Sequence, residues 1–330
     1  MLTVWAPDGV GEVGRGDLLA DHLLAALAAA SGTADLADGD VVCVTSKIVS
    51  KAEGRVEAGS RAEAIARETR RLVARRGGLS IVVNRLGLTM AAAGVDASNV
   101  EAGRVLLLPE DPDASARRLR RDVAERTGTN VAVLVTDTAG RPWREGQTDI
   151  AIGAAGLQVV ESFAGRADPY GNVLAVTAPA VADELAGAAE LASGKLGRRP
   201  FAVIRGRDDL VLDRDDDGPG ALALLRPEGG DLFGLGAREA VLTALRGSGS
   251  DSTAFGAPAA SDELRVLLAE LTGVEVAVHA GELVVTPGPD GERVRWVAEV
   301  AAYAHGWRVT DSGSDVPGTS QLRLRPGVAG

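Results

Sequence analysis

The stretch VLVTDTAGRPWREGQTDIAIG (133–153) decides how this chain is read. It overlaps NVAVLVT (130–136), the cleanest buried β-strand pattern in the sequence, and that apolar run passes straight into Asp137 and Thr138. Ligand sites in α/β folds gather where strands end. A carboxylate beside a hydroxyl suits Mg2+ or Mn2+ carrying bound phosphate, and Arg141 and Arg144 follow closely enough to offset phosphate charge. The same letters also read as a strand, a type I turn and solvated charges, because Asp-Thr followed by Gly is common in turns.

Helical and strand patterns alternate on either side. Asp17 is placed to cap a helix that runs through Leu18, Leu23 and Leu27 and stops at Gly32. DVVCVTSKIV (40–49) reads as an apolar strand, and Ser60 with Glu63 has the spacing of a capping box opening a charged helix to about Arg76. SIVVN (80–84) and VLLL (105–108) read as strands, and Asp113 or Ser115 opens a helix through RRLRRDVAER that closes at Gly128. DIAIG, LQVVES and VLAVT read as shorter strands, Pro179 as the first residue of a helix over 179–193, FAVIR (201–205) as a strand and 236–247 as a helix. GSGSDSTAFGAPAAS then has the composition of a linker. Beyond it come a helix, two strands, a second helix and the strand candidates WRVT and QLRLR. The expected organisation is a large mixed α/β domain over 1–247, a flexible linker over 248–260 and a small αββαβ-like domain over 261–330.

Composition narrows the chemistry. Of 330 residues, 45% are hydrophobic, enough for an independent core, and the net charge is −11. That balance argues against a general binder of nucleic acid or anionic membranes, both of which need a positive face. One cysteine, Cys43, excludes a disulfide framework or a thiolate zinc cluster within the chain. Three histidines, His22, His279 and His305, leave little room for a histidine-rich metal site or a serine-type triad. MLTVWAPDGVGEV has no basic n-region before an apolar core, so the expectation is a cytoplasmic protein without a signal peptide or membrane span.

Three further segments carry polar groups beside apolar runs. AGVDASNV (93–100) offers Asp96 as a metal ligand and Asn99 as a ligand-bonding amide, or an Asx-turn in which Asp96 bonds its own backbone. In TSKIVSKAEGR (45–55), Ser46, Lys47, Ser50 and Lys51 either cradle phosphate or form a lysine-bearing surface turn; the P-loop pattern is absent. The glycines of VGEVGRGD (10–17) let backbone approach a nucleotide. RRLRRDVAER and DRDDDG (213–218) read as solvated, Cys43 as core and His22 as a helix-face residue.

Taken in order, and together with LLPEDPDASARRLR, GRADPYGNVLAVTAPAVADELA and DLFGLGAREA, these segments closely resemble the coenzyme F420-0:L-glutamate ligase family over about residues 1–246. The resemblance implies the family's own α+β fold, which is neither Rossmann nor P-loop, and a homodimer. It implies GTP-dependent addition of L-glutamate to F420-0, first one residue and then γ-linked ones, through an acyl phosphate, with Mg2+ or Mn2+ and also K+. Asp96 and Asp137 match first-metal carboxylates and Thr138 a second-metal ligand. Val10, Gly11, Glu12, Val13, Ser46, Lys47, Lys51 and Asn99 match GTP contacts. So does the stretch Ala192, Ser193, Gly194, Lys195, Leu196, Gly197, Arg198 and Arg199. There, archaeal members carry a glutamate ligand where this chain has Gly194 and Lys195, so the second metal site is either incomplete or completed by Lys195 acting on phosphate. Two other readings stand beside this one: a nucleotide-binding scaffold or regulator that has lost the chemistry, and a ligase acting on a different carboxylate acceptor.

Overall fold

Val41–Val44 and Ala132–Val135 are buried on both faces in the computed structural model. It describes residues 1–30, 35–98, 100–227, 229–247, 252–288, 290–311 and 321–327. Contacts divide the chain into two units, Met1–Leu225 and Arg226–Gly330. The first begins with β1 (Thr3–Trp5), α1 (Leu19–Ala29), β2 (Val41–Thr45), α2 (Ser46–Ala52), β3 (Val56–Ala58), α3 (Arg61–Glu68), β4 (Thr69–Arg76) and β5 (Leu79–Asn84). It continues with β6 (Thr89–Ala91), β7 (Arg104–Leu106), α4 (Pro112–Thr127), β8 (Ala132–Arg141), β9 (Arg144–Ala155), α5 (Val181–Ser193) and β10 (Phe201–Arg205).

A five-stranded sheet in the order β1-β10-β2-β8-β9 organises this unit. Only β2 and β8 run parallel; the other neighbours are antiparallel, which sets the sheet apart from a doubly wound one. Side chains alternate across a strand. Val42, Val44, Val133 and Val135 accordingly pack with Leu23 and Leu27 of α1 and Leu119 and Val123 of α4. Val41, Cys43, Leu134 and Ile204 pack with Val181 and Leu185 of α5 on the other face. Each fully buried Val or Leu contributes about 1.5–3 kcal/mol relative to exposure. The remaining strands form a three-stranded sheet, β4-β5-β6, and the pair β3-β7.

Several elements differ from their sequence reading. The strand begun at Val41 stops at Thr45, and SKIVSKA is the helix α2. Ser60 does cap α3, its hydroxyl accepting from the Ala62 N–H at 3.2 Å, but the helix ends at Glu68. Thr69–Arg76 instead pairs with β5, because exposure alternates along it as in a strand. LQVVES and VLAVT contribute only isolated bridges, Leu157 to Val211 and Ala167 to Val173. Helix α5 starts at Val181, after Pro179. Leu18 is the N-cap of α1, while Asp17 accepts the Gly14 N–H at 2.8 Å; Gly32 lies outside the described residues.

Helix α4 opens ahead of both expected starts, Asp113 and Ser115: Asp111 caps it, accepting from the Ala114 N–H at 2.9 Å, while Asp113 accepts from the Ala154 and Ala221 N–H groups; Gly128 closes it as expected, at φ +77°. Its basic face is not wholly solvated. Arg120 is buried and donates to the carbonyls of Val131 at 3.0 Å, Asp213 at 2.8 Å and Asp216 at 2.8 Å, and to the Asp217 carboxylate at 3.0 Å. The DRDDDG loop is thereby tied to the core.

The second unit comprises α6 (Ala237–Arg246), α7 (Ser261–Thr272), β11 (Val276–His279), β12 (Glu282–Val285), α8 (Gly291–Ala304), β13 (Trp307–Asp311) and β14 (Leu322–Pro326). Its sheet, β11-β12-β14-β13, is antiparallel, and Leu264, Leu268, Val294 and Ala298 pack on Leu283, Leu322 and Trp307. Helix α6 packs on α8, so it falls in this unit and not in a domain ending at 247. The end of the expected linker is docked as well. Phe255 meets Tyr303 edge-on with ring centroids 6.0 Å apart, the Ala259 N–H donates to the His305 carbonyl at 2.9 Å, and Trp307 Nε1 donates to the Ala259 carbonyl at 2.9 Å. Burial of these aromatic rings holds a segment whose composition alone reads as flexible. No described helix is long and apolar enough to cross a membrane.

Candidate functional site

Strand β2 ends at Thr45, paired with Thr136 of β8. Beyond that point β8 continues to Arg141 with β9 as its one hydrogen-bonded strand partner among the described residues. Asp137 and Thr138 therefore sit inside a strand, neither at its end nor in a turn. The reversal comes later, around Trp143, whose φ is +63°. What opens the site is the end of the neighbouring strand. A bulge between Val135 and Thr136 adds twist at the same level. A cavity of about 570 Å³ opens there.

Helix α2 starts where β2 stops and faces this opening. Its first residue, Ser46, donates from Oγ to Asp137 Oδ1 at 2.8 Å. Burial pushes the Asp137 carboxyl up to about 6; the negative charge of Asp149 adds to this, while the Ser46 hydrogen bond and the Lys47 charge oppose it. Lys47 donates to Asp96 Oδ2 and, at 2.9 Å, to Ser98 Oγ. Lys51 reaches Glu12 Oε2 at 3.3 Å, and Arg198 reaches Glu12 Oε1 at 3.0 Å. The Lys51 hydrogen bond, with the Lys51 and Arg198 charges, holds the Glu12 carboxyl below its ordinary value. These pairs tie the loop Val10–Val13 to α2 and to the segment after α5.

Asp96 enters through a left-handed turn. Ala92, Ala93 and Gly94 have φ of +52°, +57° and +77°, a conformation that is costly for alanine. A Cβ on Gly94 would also lie 2.6 Å from Leu108 Cδ1. The backbone of Asp96 then bridges to Leu106 in both directions, at 3.0 and 2.8 Å. Its Oδ1 accepts the Ser98 N–H at 2.7 Å, the Asx-type bond, and its Oδ2 accepts the Ser98 hydroxyl at 2.7 Å. The carboxylate still lines the cavity. Burial raises its pKa, but the bonds from Lys47 and Ser98 outweigh burial and hold it below the ordinary value.

On the opposite wall, Thr138 is the cross-strand partner of Asp149. Thr138 Oγ1 donates to Asp149 Oδ1 at 2.7 Å and accepts from Lys195 Nζ at 2.7 Å. Burial lowers the Lys195 pKa, but hydrogen bonding and charge from Glu190 and Asp149 prevail and raise it. Cys43 also borders the cavity; burial, and secondarily the Asp149 charge, push its thiol up to about 12, so it is neutral at physiological pH. Among the described residues, no three His, Cys, Asp or Glu side chains form a ready metal cage.

The sequence profile of the F420-0:gamma-glutamyl ligase family matches residues 9–206. This chain belongs to that family. It is 38% identical over 249 residues to the Coenzyme F420:L-glutamate ligase of Methanothermobacter thermautotrophicus, covering 68% of this chain and 96% of that protein. The protein of the same name from Haloarcula marismortui is 39% identical over 250 residues, covering 66% and 95%. That of Methanopyrus kandleri is 39% identical over 221 residues, covering 61% and 88%.

In this member of the F420-0:gamma-glutamyl ligase family, one cavity gathers Val10, Gly11, Glu12 and Val13 with Lys47, Lys51, Asp96, Asp137 and Thr138. Ser193, Gly194, Lys195, Arg198 and Arg199 line it too. Ser46 reaches it through Asp137, and Ala192, Leu196 and Gly197 are outside its lining. Asn99 lies outside the described residues. Asp149 and Glu190 line the cavity without having been singled out from the sequence. Reversal at Pro142–Trp143 alone would set Thr138 opposite Gln147; the register shift between Gly140 and Arg141 is what brings Asp149 to Thr138, and no local pattern signals it. Glu190 carried no local signal, because it meets Lys195 only after α5 has ended.

Proposed function

We propose that this chain is a GTP- and metal-dependent ligase that joins L-glutamate to the free carboxyl group of F420-0, first once and then through γ-linked residues. The observation that carries this reading is the convergence of Asp96, Asp137, Lys47, Lys51 and Lys195 on one cavity in a chain of this family. Carboxylates interleaved with ammonium groups suit a metal-bearing phosphate. The lining includes no histidine. Such a site is equipped for positioning and charge neutralisation, which is what phosphoryl transfer requires.

Asp96 and Asp137 would hold Mg2+ or Mn2+. Asp137 fits that role as a buried carboxylate pushed towards its neutral form, which a neighbouring divalent ion would restore to the anion. Two carboxylates suffice, since Mg2+ commonly completes its shell with water and substrate phosphates. A bound divalent ion supplies Lewis-acid neutralisation of phosphate charge. Ser46 orients Asp137, while Lys51 and the Val10–Val13 loop bind the nucleotide. The F420-0 carboxylate attacks the γ-phosphorus, the bond to the β-phosphate oxygen breaks, and GDP leaves. The amine of glutamate then attacks the acyl carbon, losing a proton, and the carbon–oxygen bond to phosphate breaks to give the amide.

Phosphate release from GTP, measured with F420-0 and L-glutamate each omitted in turn, tests the reading. Release that needs both substrates supports it. Release that proceeds equally without either one contradicts it.

A further inference from the structure

Thr138, Asp149 and Glu190 belong to β8, β9 and α5, yet their side-chain oxygens converge on one point. The Lys195 ammonium fills that point. Its Nζ lies 2.7 Å from Thr138 Oγ1, 3.2 Å from Asp149 Oδ1 and 2.8 Å from Glu190 Oε1. Thr138 and Asp149 accept hydrogen bonds from the ammonium, and the Glu190 carboxylate pairs with its charge. The placement depends on Gly194, the C-cap of α5, with φ +64° and ψ 155°. No heavy atom lies within 4 Å of a Cβ built there, so the requirement is conformational.

Two carboxylates and a hydroxyl are hard oxygen donors of the kind that bind Mg2+ or Mn2+. A second divalent ion at Thr138 does not fit this arrangement, because it would have to displace an ammonium that contacts all three oxygens at once, whereas at the first site Lys47 pairs with Asp96 but Asp137 is held by the neutral Ser46 hydroxyl. We infer that Lys195 is the resident cation of this cradle, so that a nucleotide in the cavity meets one divalent ion, at Asp96 and Asp137, and one ammonium, at Thr138. The inference rests on the nucleotide reading above and deepens it. Part of the charge facing the phosphates then depends on no dissociable ion and cannot be removed by a chelator.

Equilibrium dialysis of the full chain against Mn2+, with and without saturating GDP, tests this. The parent should bind one Mn2+ per chain in the presence of GDP. Lys195→Ala should bind one more than the parent under either condition, because the three oxygens lose their internal cation. Lys195 is 57% exposed, so its truncation opens no core. If melting nevertheless shows that variant to be unfolded, Lys195→Gln carries the same comparison. A parent that binds two Mn2+ per chain, or a folded variant that binds no more than the parent, overturns the inference. Failure of GDP to bind at all would contradict the nucleotide reading, while the Mn2+ difference between variant and parent would still decide the role of Lys195.

Discussion

Ser46 Oγ donates to Asp137 Oδ1 at 2.8 Å, joining residues 91 positions apart in the sequence. The bond spans the level at which β2 ends and β8 continues. It fixes the start of α2 against the carboxylate side of the cavity. Lys47 and Lys51 ride on the same short helix, four residues apart and therefore on one face. One hydrogen bond thus sets the spacing between the group assigned to the metal and the groups assigned to phosphate.

Lys51→Ala is expected to weaken GTP binding at least roughly tenfold, since a hydrogen bond to a charged group contributes about 1.5–3 kcal/mol. Calorimetric titration reads the change. Unchanged affinity in a folded variant would remove Lys51 from the nucleotide site.

Asp137→Asn is expected to abolish turnover and yet to stabilise the metal-free protein. Between the ordinary carboxyl value of 3.8 and the folded value of about 6, the folded state keeps a proton that the unfolded state has lost. The contribution of this group to stability therefore falls as pH rises through that window and is constant above it. The variant lacks this loss, so with metal chelated it should melt above the parent at pH 7, with the gap closing towards pH 4. A gap independent of pH, or near-parental activity at saturating metal, would count against the assignment.

The elements legible in the sequence were those fixed by local pattern: the Val-rich strands β2, β8 and β10, and α4 with its closing Gly128. Ile48 and Val49 made α2 look like a continued strand, because β-branched residues favour strands until packing decides otherwise. The end of α3 at Glu68 was hidden because the run TRRLVARR reads as charged helix until it finds β5 as a partner. Asp96 and Asp137 stood out as polar groups beside apolar runs. Asp149 required the hairpin register, and the cradle around Lys195 required the turn at Gly194, neither of which a local pattern supplies.

Arg120→Met should destabilise the first unit by about 3–5 kcal/mol, the usual cost of removing one partner from a buried charged network. The carbonyls of Val131, Asp213 and Asp216 would lose their donor. Urea unfolding followed by circular dichroism reads the shift in midpoint. A midpoint equal to that of the parent would show the network to be dispensable.

A chain ending at Leu225 should fold and bind GTP as the full chain does. Every residue lining the cavity lies at or before Ala202, and the first compact unit ends at Leu225. Loss of GTP binding in a truncated chain with an intact melting transition would give the second unit a part in the site.

The central claim is the bond formed. Mass spectrometry of F420-0 incubated with the purified chain, GTP, Mn2+ and isotopically labelled L-glutamate reads it directly. The expected result is F420-0 heavier by one labelled glutamyl residue, then by further residues, with at least one GDP formed for each. GTP consumed with F420-0 left at its starting mass would contradict the account.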